Sequence, residues 1–415
     1  MNKNLQIFKI LFCLSILQLP SFAQVNTLDF FVNQGLIHSP VLKDINNQVS
    51  SNTVDSLLIK AGQKPQVSFN GLVYYAPVIN GVGYSEVITN ISNISSQAIV
   101  TQKIFNRKTI DALYSKSALQ NQSLRGSYKI SENDLRKAIT LQYLSACFVS
   151  NELTFNKELL KSSIEEERIL IQLVEKGLYR QVDYSSFLVE LKGQELLLND
   201  LLLQYQKEVS ALNILCGLPE IAYEQLVLPD IKLNSPVDVT TSPFFTRFAV
   251  DSLKIQNEKL LIDRNYKPSV NWFSDAGVVN NIPSEIYKNI GFSVGLNVSV
   301  PVYDGQQRKL NYEKLKIAEN SRTNYAGVFK QQFSQQLQQL YKELKMTEEI
   351  IPQITEQLNL EESVIKQQKN LINMGSISIT DYVITLKNYI TIKRSITQYQ
   401  LKILQIITEI NYWNQ

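Results

Sequence analysis

The residues able to do bond chemistry are few and scattered. His38 is the one histidine. It stands beside Ser39-Pro40, a pair suited to opening a helix, and reads as a boundary residue. No glycine-rich phosphate loop and no His/Cys ligand cluster occurs. Paired acids are what general acid–base work needs, and Glu165, Glu166 and Glu167 supply a run of three. They fall in a long helical stretch and read as a solvated face. These observations argue against an enzyme, and no metal and no cofactor is expected. Of the three cysteines, Cys147 and Cys216 lie in apolar helical surroundings and read as buried free thiols rather than a disulfide framework.

One arrangement does recur. Residues 176–184 read KGLYRQVDY and residues 374–382 read MGSISITDY. In each, a glycine (Gly177, Gly375) precedes an aspartate (Asp183, Asp381) by six positions, and a tyrosine follows. Glycine supplies the left-handed backbone that ends one helix. Asp183, or Thr380-Asp381, then caps the next. The motif is the tip of a helical hairpin, and the sequence has two.

Other markers repeat in the same order. Ser39-Pro40 matches Ser242-Pro243, and Lys64-Pro65 matches Lys267-Pro268; 25 residues separate the prolines in both copies. Phe105 and Tyr303 each precede the tip glycine by 72 residues. The chain is therefore a duplication. Residues 24–225 form the first repeat, with a β-hairpin at 65–105 and a tip at 177–183. Residues 226–415 form the second, with a β-hairpin at 268–303 and a tip at 375–381. Each repeat reads as a helix, two strands and two long helices.

Residues 1–23 read as a secretory signal peptide: Lys3 and Lys9, a short apolar core from Ile10 to Leu19, and Ser21-Phe22-Ala23 as the cleavage site. Phe12 is a poor residue before a lipidated cysteine, which disfavours a lipoprotein built on Cys13. Removal takes 41 basic residues to 39 against 38 acidic, so the net charge falls from +3 to +1. A near-neutral chain gives no argument for nucleic acid or a polybasic membrane surface. No further apolar stretch is long enough for a membrane helix, so a membrane span would have to use strands.

The strands have two unlike faces. Phe292, Val294, Leu296, Val298, Val300 and Val302 alternate with Gly291, Ser293, Gly295, Asn297 and Ser299. Val67, Phe69, Val73 and Tyr75 alternate with Gln66, Ser68 and Asn70 in the same way. In the third strand, Val270, Trp272, Ala276 and Val278 stand against Ser269, Asn271 and Asp275, and Phe273 breaks the rule. NISSQAIVT is the weakest of the four. These are the only strands in a helical protein, and no other segment is available to cover them. Two hairpins leave open edges, which lipid does not tolerate, so several chains must share one barrel.

Between Phe105 and Gly177 there is no proline, and about 70 helical residues reach roughly 100 Å. In the last helix Tyr389, Ile392, Ile396, Tyr399, Ile403, Ile406 and Ile410 alternate steps of three and four, a coiled-coil seam. Ile351, Ile354, Leu358, Ile365 and Ile372 form a looser stripe, in which Pro352 predicts a kink or break.

Together the Ser-Pro and Lys-Pro pairs, VPVYDG at 300–305, LNILCGLP at 212–219 and the two Gly-x5-Asp tips resemble the TolC-like outer membrane efflux proteins. The resemblance covers essentially the whole mature chain. It implies a mainly α protomer with a transmembrane β part and two repeats. Three copies would form a 12-strand β-barrel continued by a 12-helix α-barrel, in the cell outer membrane with the helices in the periplasm. It implies a passive duct for efflux or type I secretion, working with a periplasmic adaptor and an inner-membrane RND, ABC or MFS transporter. Gly177, Leu178, Val182, Asp183, Gly375, Ser376, Ser378, Thr380 and Asp381 would be adaptor-docking residues, and Asp381 a pore constriction. Ile384 and Ile377 depart from the family, standing where a second acidic ring and a latching arginine are expected. The rival from another class is a periplasmic coiled-coil envelope scaffold whose strands form a soluble head.

Overall fold

A computed structural model describes residues 27–83, 91–104, 106–220, 226–236, 242–280 and 287–415. The signal peptide, Phe105 and part of each strand-connecting loop lie outside them. The elements run α1 (Leu28–His38), α2 (Pro40–Ala61), β1 (Gln66–Ala76), β2 (Ile91–Ile104), α3 (Arg107–Glu175) and α4 (Gln181–Cys216). There follow α5 (Pro243–Asn265), β3 (Ser269–Asn280), β4 (Ile290–Ser299), α6 (Gln307–Asn373) and α7 (Ile379–Trp413). The Ser-Pro pairs do open helices: Pro40 and Pro243 begin α2 and α5, where a missing N–H costs nothing. A further helix, α1, precedes the first of them.

The chain forms two compact units, each drawing on both repeats. One unit comprises residues 43–130 and 238–331 and holds the strands. The two expected hairpins are joined there into one antiparallel sheet of order β1-β2-β3-β4. The segment that looks weakest in the sequence becomes β2, whose 14 residues pair with β1 on one side and β3 on the other.

Register sorts the side chains. Val73 faces Ile94, Val270 faces Val298, and Trp272 faces Leu296 on one face of the sheet. Gln97 stands opposite Gly277 and diagonal to Asp275, and Asp275 faces Ser293, on the other. Gln97 Nε2 donates to Asp275 Oδ1 at 3.0 Å, and the Ser293 hydroxyl donates to the same carboxylate. Phe273, the exception to the alternation, lies on this polar face directly opposite Gly295. A Cβ on Gly295 would come within 2.5 Å of the Phe273 ring. The glycine is therefore the seat for the ring. Across the apolar face, Val67, Phe69, Val73, Tyr75, Phe292, Val294, Leu296 and Val298 keep 60–82 % of their surface exposed. The indole of Trp272 is satisfied by Gln102 Oε1 at 3.0 Å.

The second unit comprises residues up to 42, 131–237 and 332–415. Its main core gathers Phe31 of α1, Tyr143 and Cys147 of α3, Leu212 and Cys216 of α4, and Leu226. Both cysteines are buried free thiols, and burial pushes each thiol up to about 12. The link between repeats crosses this core as an irregular strap. Tyr143 donates its hydroxyl to the Val227 carbonyl at 2.6 Å, and Asn411 binds the strap at Lys232 O and Asn234 N, 2.7 Å each. Gly217 ends α4 at φ 65°, and a Cβ there would come within 2.8 Å of His38. His38 is thus the exposed last residue of α1, its Cβ set against Gly217, at the boundary its position suggests.

The seam of α7 packs on α6, with Ile406 and Ile410 against Leu344. The helix α6 runs unbroken through Pro352, so of the expected kink or break the break does not occur. Pro352 and Glu348 are both exposed, so water can take the carbonyl that the proline leaves unpaired.

Candidate functional site

The helical tips belong to the second unit and share one small core of Leu170, Leu173, Tyr179, Phe187, Ile372, Ile379, Tyr382 and Leu386. Both tips are built alike. Leu178 N donates to Leu173 O at 2.9 Å and Gly177 N to Val174 O at 2.9 Å. Ser376 N donates to Leu371 O at 3.0 Å and Gly375 N to Ile372 O at 2.9 Å. These paired bonds close a helix only when the residue after its end is left-handed, and Gly177 and Gly375 have φ 73° and 69°.

The restart of each helix differs from expectation. Neither aspartate is the N-cap. Arg180 and Ser378 hold the cap positions, in extended conformation, and Asp183 and Asp381 sit three residues later. From there Asp183 reaches back to the Arg180 N–H at 3.1 Å and pairs with its guanidinium at 3.2 Å. This is the returning half of a capping box. Thr380 and Asp381 stay exposed in the first turn of α7.

The tips touch one another. Leu178 lies 3.5 Å from where a Cβ on Gly375 would stand, and the Tyr179 hydroxyl donates to Ile372 O at 3.2 Å. Leu178, Val182, Met374 and Ile384 remain exposed around them, with Ser376 and Ser378. The structure thus brings the two tip turns together at Leu178 and Gly375.

What the sequence reading missed is the tyrosine after each aspartate. Tyr184 donates to Glu167 at 3.1 Å, and Tyr382 donates to Glu166. The two tips grip neighbouring carboxylates of one helix, α3. The run at 165–167 is therefore not a solvated face: Glu165 alone is exposed. Lys369 of α6 pairs with Glu166 as well. Burial first, then the Glu166 charge, pushes the Tyr382 hydroxyl far above its ordinary value. It stays a neutral donor. Behind the tips these groups line a cleft of about 230 Å³ with Phe187, Ile372 and Ile379. The repeated Asp-Tyr pair, set against three consecutive acids, was the signal that could have revealed this.

Two predictions arise here. The Arg180 hydrogen bond first, with the backbone N–H and charge of the same residue, holds the Asp183 carboxyl below the usual range. A lowered value means that the folded tip favours the charged form. That contribution is present above the ordinary carboxylate value, about 3.9, and is lost as pH falls through the lowered one. Amide exchange over residues 177–184, corrected for intrinsic rates, should accelerate on acidification below that range in the wild type. It should lose that pH dependence in Asp183→Asn; a wild-type-like profile in the variant would refute the assignment. Tyr382→Phe removes a buried hydrogen bond to a charged acceptor, about 2 kcal/mol. Tip amides should then exchange roughly 30-fold faster with global helicity unchanged; equal protection would show the bond to be inert.

Among the described residues no group of three His, Cys, Asp or Glu is placed to hold a metal ion. None of the described helices is long and apolar enough to cross a membrane. No family model matches the sequence, and no curated protein matches it. Solved structures do match in fold. CusC, described for transmembrane channel formation, superposes with TM-score 0.75 at 10 % identity, over 94 % of this chain and 92 % of its own. The outer-membrane channel OprN gives 0.75 at 12 %, over 93 % and 89 %. The Campylobacter jejuni outer membrane channel CmeC gives 0.74 at 12 %, over 93 % and 85 %. The chain has the fold of the TolC-like outer membrane channels. At such low identity the likeness fixes architecture, across nearly the full length of both partners.

Proposed function

We propose that this chain is one subunit of a homotrimeric outer membrane channel, serving efflux or type I secretion as a passive duct. The observation that carries this reading is the sheet. It has an apolar face without cover and two edge strands, β1 and β4, each paired on one side only among the described residues. Lipid would satisfy the face, and pairing of β1 with β4 of the next copy would close the edges, giving twelve strands from three chains.

The helices support the same reading. Val182, Val189, Leu196 and Leu203 recur every seven residues along α4 and are all exposed. Along α6, Met346, Leu360, Val364, Leu371 and Met374 hold exposed positions of a second heptad pattern. Such seams are coiled-coil surfaces lacking a partner among the described residues of one chain, and neighbouring copies would supply it. The helical part would stand in the periplasm. Its tips, Gly177–Asp183 and Gly375–Asp381, would dock a periplasmic adaptor linked to an inner-membrane RND, ABC or MFS transporter. Three Asp381 carboxylates around one axis would form a cation-attracting constriction. With Ile384 one turn further on, the ring has no second acidic layer.

Extraction and conductance test this. The duct requires detergent for purification, a heat-modifiable trimer, and single-channel conductance in planar bilayers. A monomer soluble in plain buffer and electrically silent would establish the scaffold reading instead.

A further inference from the structure

The four strands meet their helices at one end of the sheet. Register places Gln66 opposite Thr101, Ile104 opposite Val270 and Ser269 opposite Ser299. The junctions at this end, residues 60–66, 101–110, 262–269 and 299–316, contain eleven lysines and arginines against three acids. At the opposite end, the described residues 76–83 and 287–290 contain one lysine and no acid. Charge is thus segregated to one margin of the apolar face.

Two of the three acids are also engaged locally. Asp263 is taken up by Arg308 and Tyr312, and Asp304 by the N–H groups of Gln306 and Arg308 at 2.9 and 2.8 Å. That leaves Glu313 as the remaining acid. Lys64, Lys108, Lys267 and Lys309 are all exposed. The basic residues also stand where local structure disfavours them. The helices α3 and α6 open on Arg107-Lys108 and Arg308-Lys309, and neither has an acid in its first turn. A helix N-terminus carries partial positive charge and favours acids. At α6 the Asp304 carboxylate offsets this by accepting the Arg308 N–H, and at α3 the neutral Asn106 side chain accepts the Lys108 N–H, so the exposed bases beyond these caps are what an external anion would meet.

We propose that this basic margin is a docking surface for the anionic headgroups of phospholipids in the leaflet nearest the helices. The inference rests on the reading that the sheet spans a bilayer. Headgroups fit better than a soluble polyanion because the bases border the exposed apolar face. Trp272 and the exposed Tyr303 lie at the same border, the level at which aromatic residues meet lipid headgroups. The Lys-Pro pairs that open β1 and β3 acquire a role here: each sets a lysine at the foot of a strand.

The test uses the full chain reconstituted in vesicles of phosphatidylcholine alone or mixed with phosphatidylglycerol, and native mass spectrometry of the lipids retained. The wild type should retain phosphatidylglycerol about tenfold over its bulk share near 50 mM salt. The preference should collapse near 500 mM, where screening is several-fold shorter-ranged. Replacing Lys64, Lys108, Lys267 and Lys309 together by Gln should bring the preference close to unity, with insertion into phosphatidylcholine unchanged. The same four positions as Arg should keep the preference, which separates charge from folding. Equal retention by the wild type and the Gln variant, or no preference in the wild type, overturns the proposal while the spanning reading stands. Failure of the wild type to insert into either vesicle overturns both. Polyphosphate binding to the detergent-free protein as strongly as vesicles do assigns the surface to a soluble polyanion and likewise overturns it.

Discussion

Gly375→Pro is expected to abolish transport while the protein still reaches and inserts into the membrane. Gly375 has φ 69°, and its N–H closes α6 by donating to Ile372 O. Proline fixes φ near −65° and has no N–H, so the substitution removes both the conformation and the bond. The damage does not end at the turn. The Ile372 carbonyl also receives the Tyr179 hydroxyl, and Leu178 packs against the glycine. Reshaping the second tip therefore displaces the first. The strands belong to the other compact unit, and so does the apolar face that would drive insertion. Transport, measured as efflux-dependent survival, should fall to the level of a deletion strain. Heat-modifiable trimer in the membrane fraction should stay near wild type. Loss of insertion would place the turn in the folding core and remove the docking assignment; undiminished transport would show that tip geometry does not matter. Gly375→Ala should be milder, since it keeps the N–H and strains only φ.

Local pattern made much of this architecture legible. The period-two alternation in residues 290–298 survives as the two faces of β4, and the C-terminal end of the three-and-four seam, Ile403, Ile406 and Ile410, survives as the packing of α7 on α6. Both are properties of neighbouring residues, which is why a sequence reveals them. The tips were legible for the same reason, because a left-handed position after a helical run wants glycine. The features that escaped are set by distant residues. Nothing near Ile94 announces that it will pair with Asn280, so β2 looks weak until its two neighbours are present. Nothing near Glu166 announces a tyrosine 216 positions away, so a helical acid looks solvated. The caps were misplaced by three residues because aspartate serves equally at the cap and, reaching back, at the third helical position. Pro352 was expected to kink or break α6, and the break, a cost of about 3 kcal/mol in an isolated helix, does not occur. Packing along a 67-residue helix outweighs that cost.

Val294→Arg is expected to prevent membrane insertion outright. Val294 sits in the middle of β4, on the apolar face, with 71 % of its surface exposed. Its neighbours on that face include Phe292 and Leu296, so an arginine there cannot reach water by leaning along the strand. At the midplane of a bilayer a lipid-facing arginine costs about 2–4 kcal/mol in a β-barrel. Three copies of the chain would carry it at one depth, so the assembled cost is about three times larger, comparable to the whole stability of a typical domain. The adjacent residue is the control. Ser293 lies on the opposite face, where it bonds Asp275. Ser293→Arg would meet that carboxylate on the polar face and should insert normally, with altered conductance. The two variants change the same strand by the same side chain, one position apart, and differ only in the face they present. Membrane fractionation with circular dichroism of the solubilised protein reads the outcome: helicity retained in both, trimer lost in Val294→Arg alone. If Ser293→Arg failed and Val294→Arg inserted, the faces would be reversed and the apolar side would have to be the interior. If both inserted equally, the sheet would have no lipid face at all, and the open edges of β1 and β4 would need another explanation than closure by neighbouring copies.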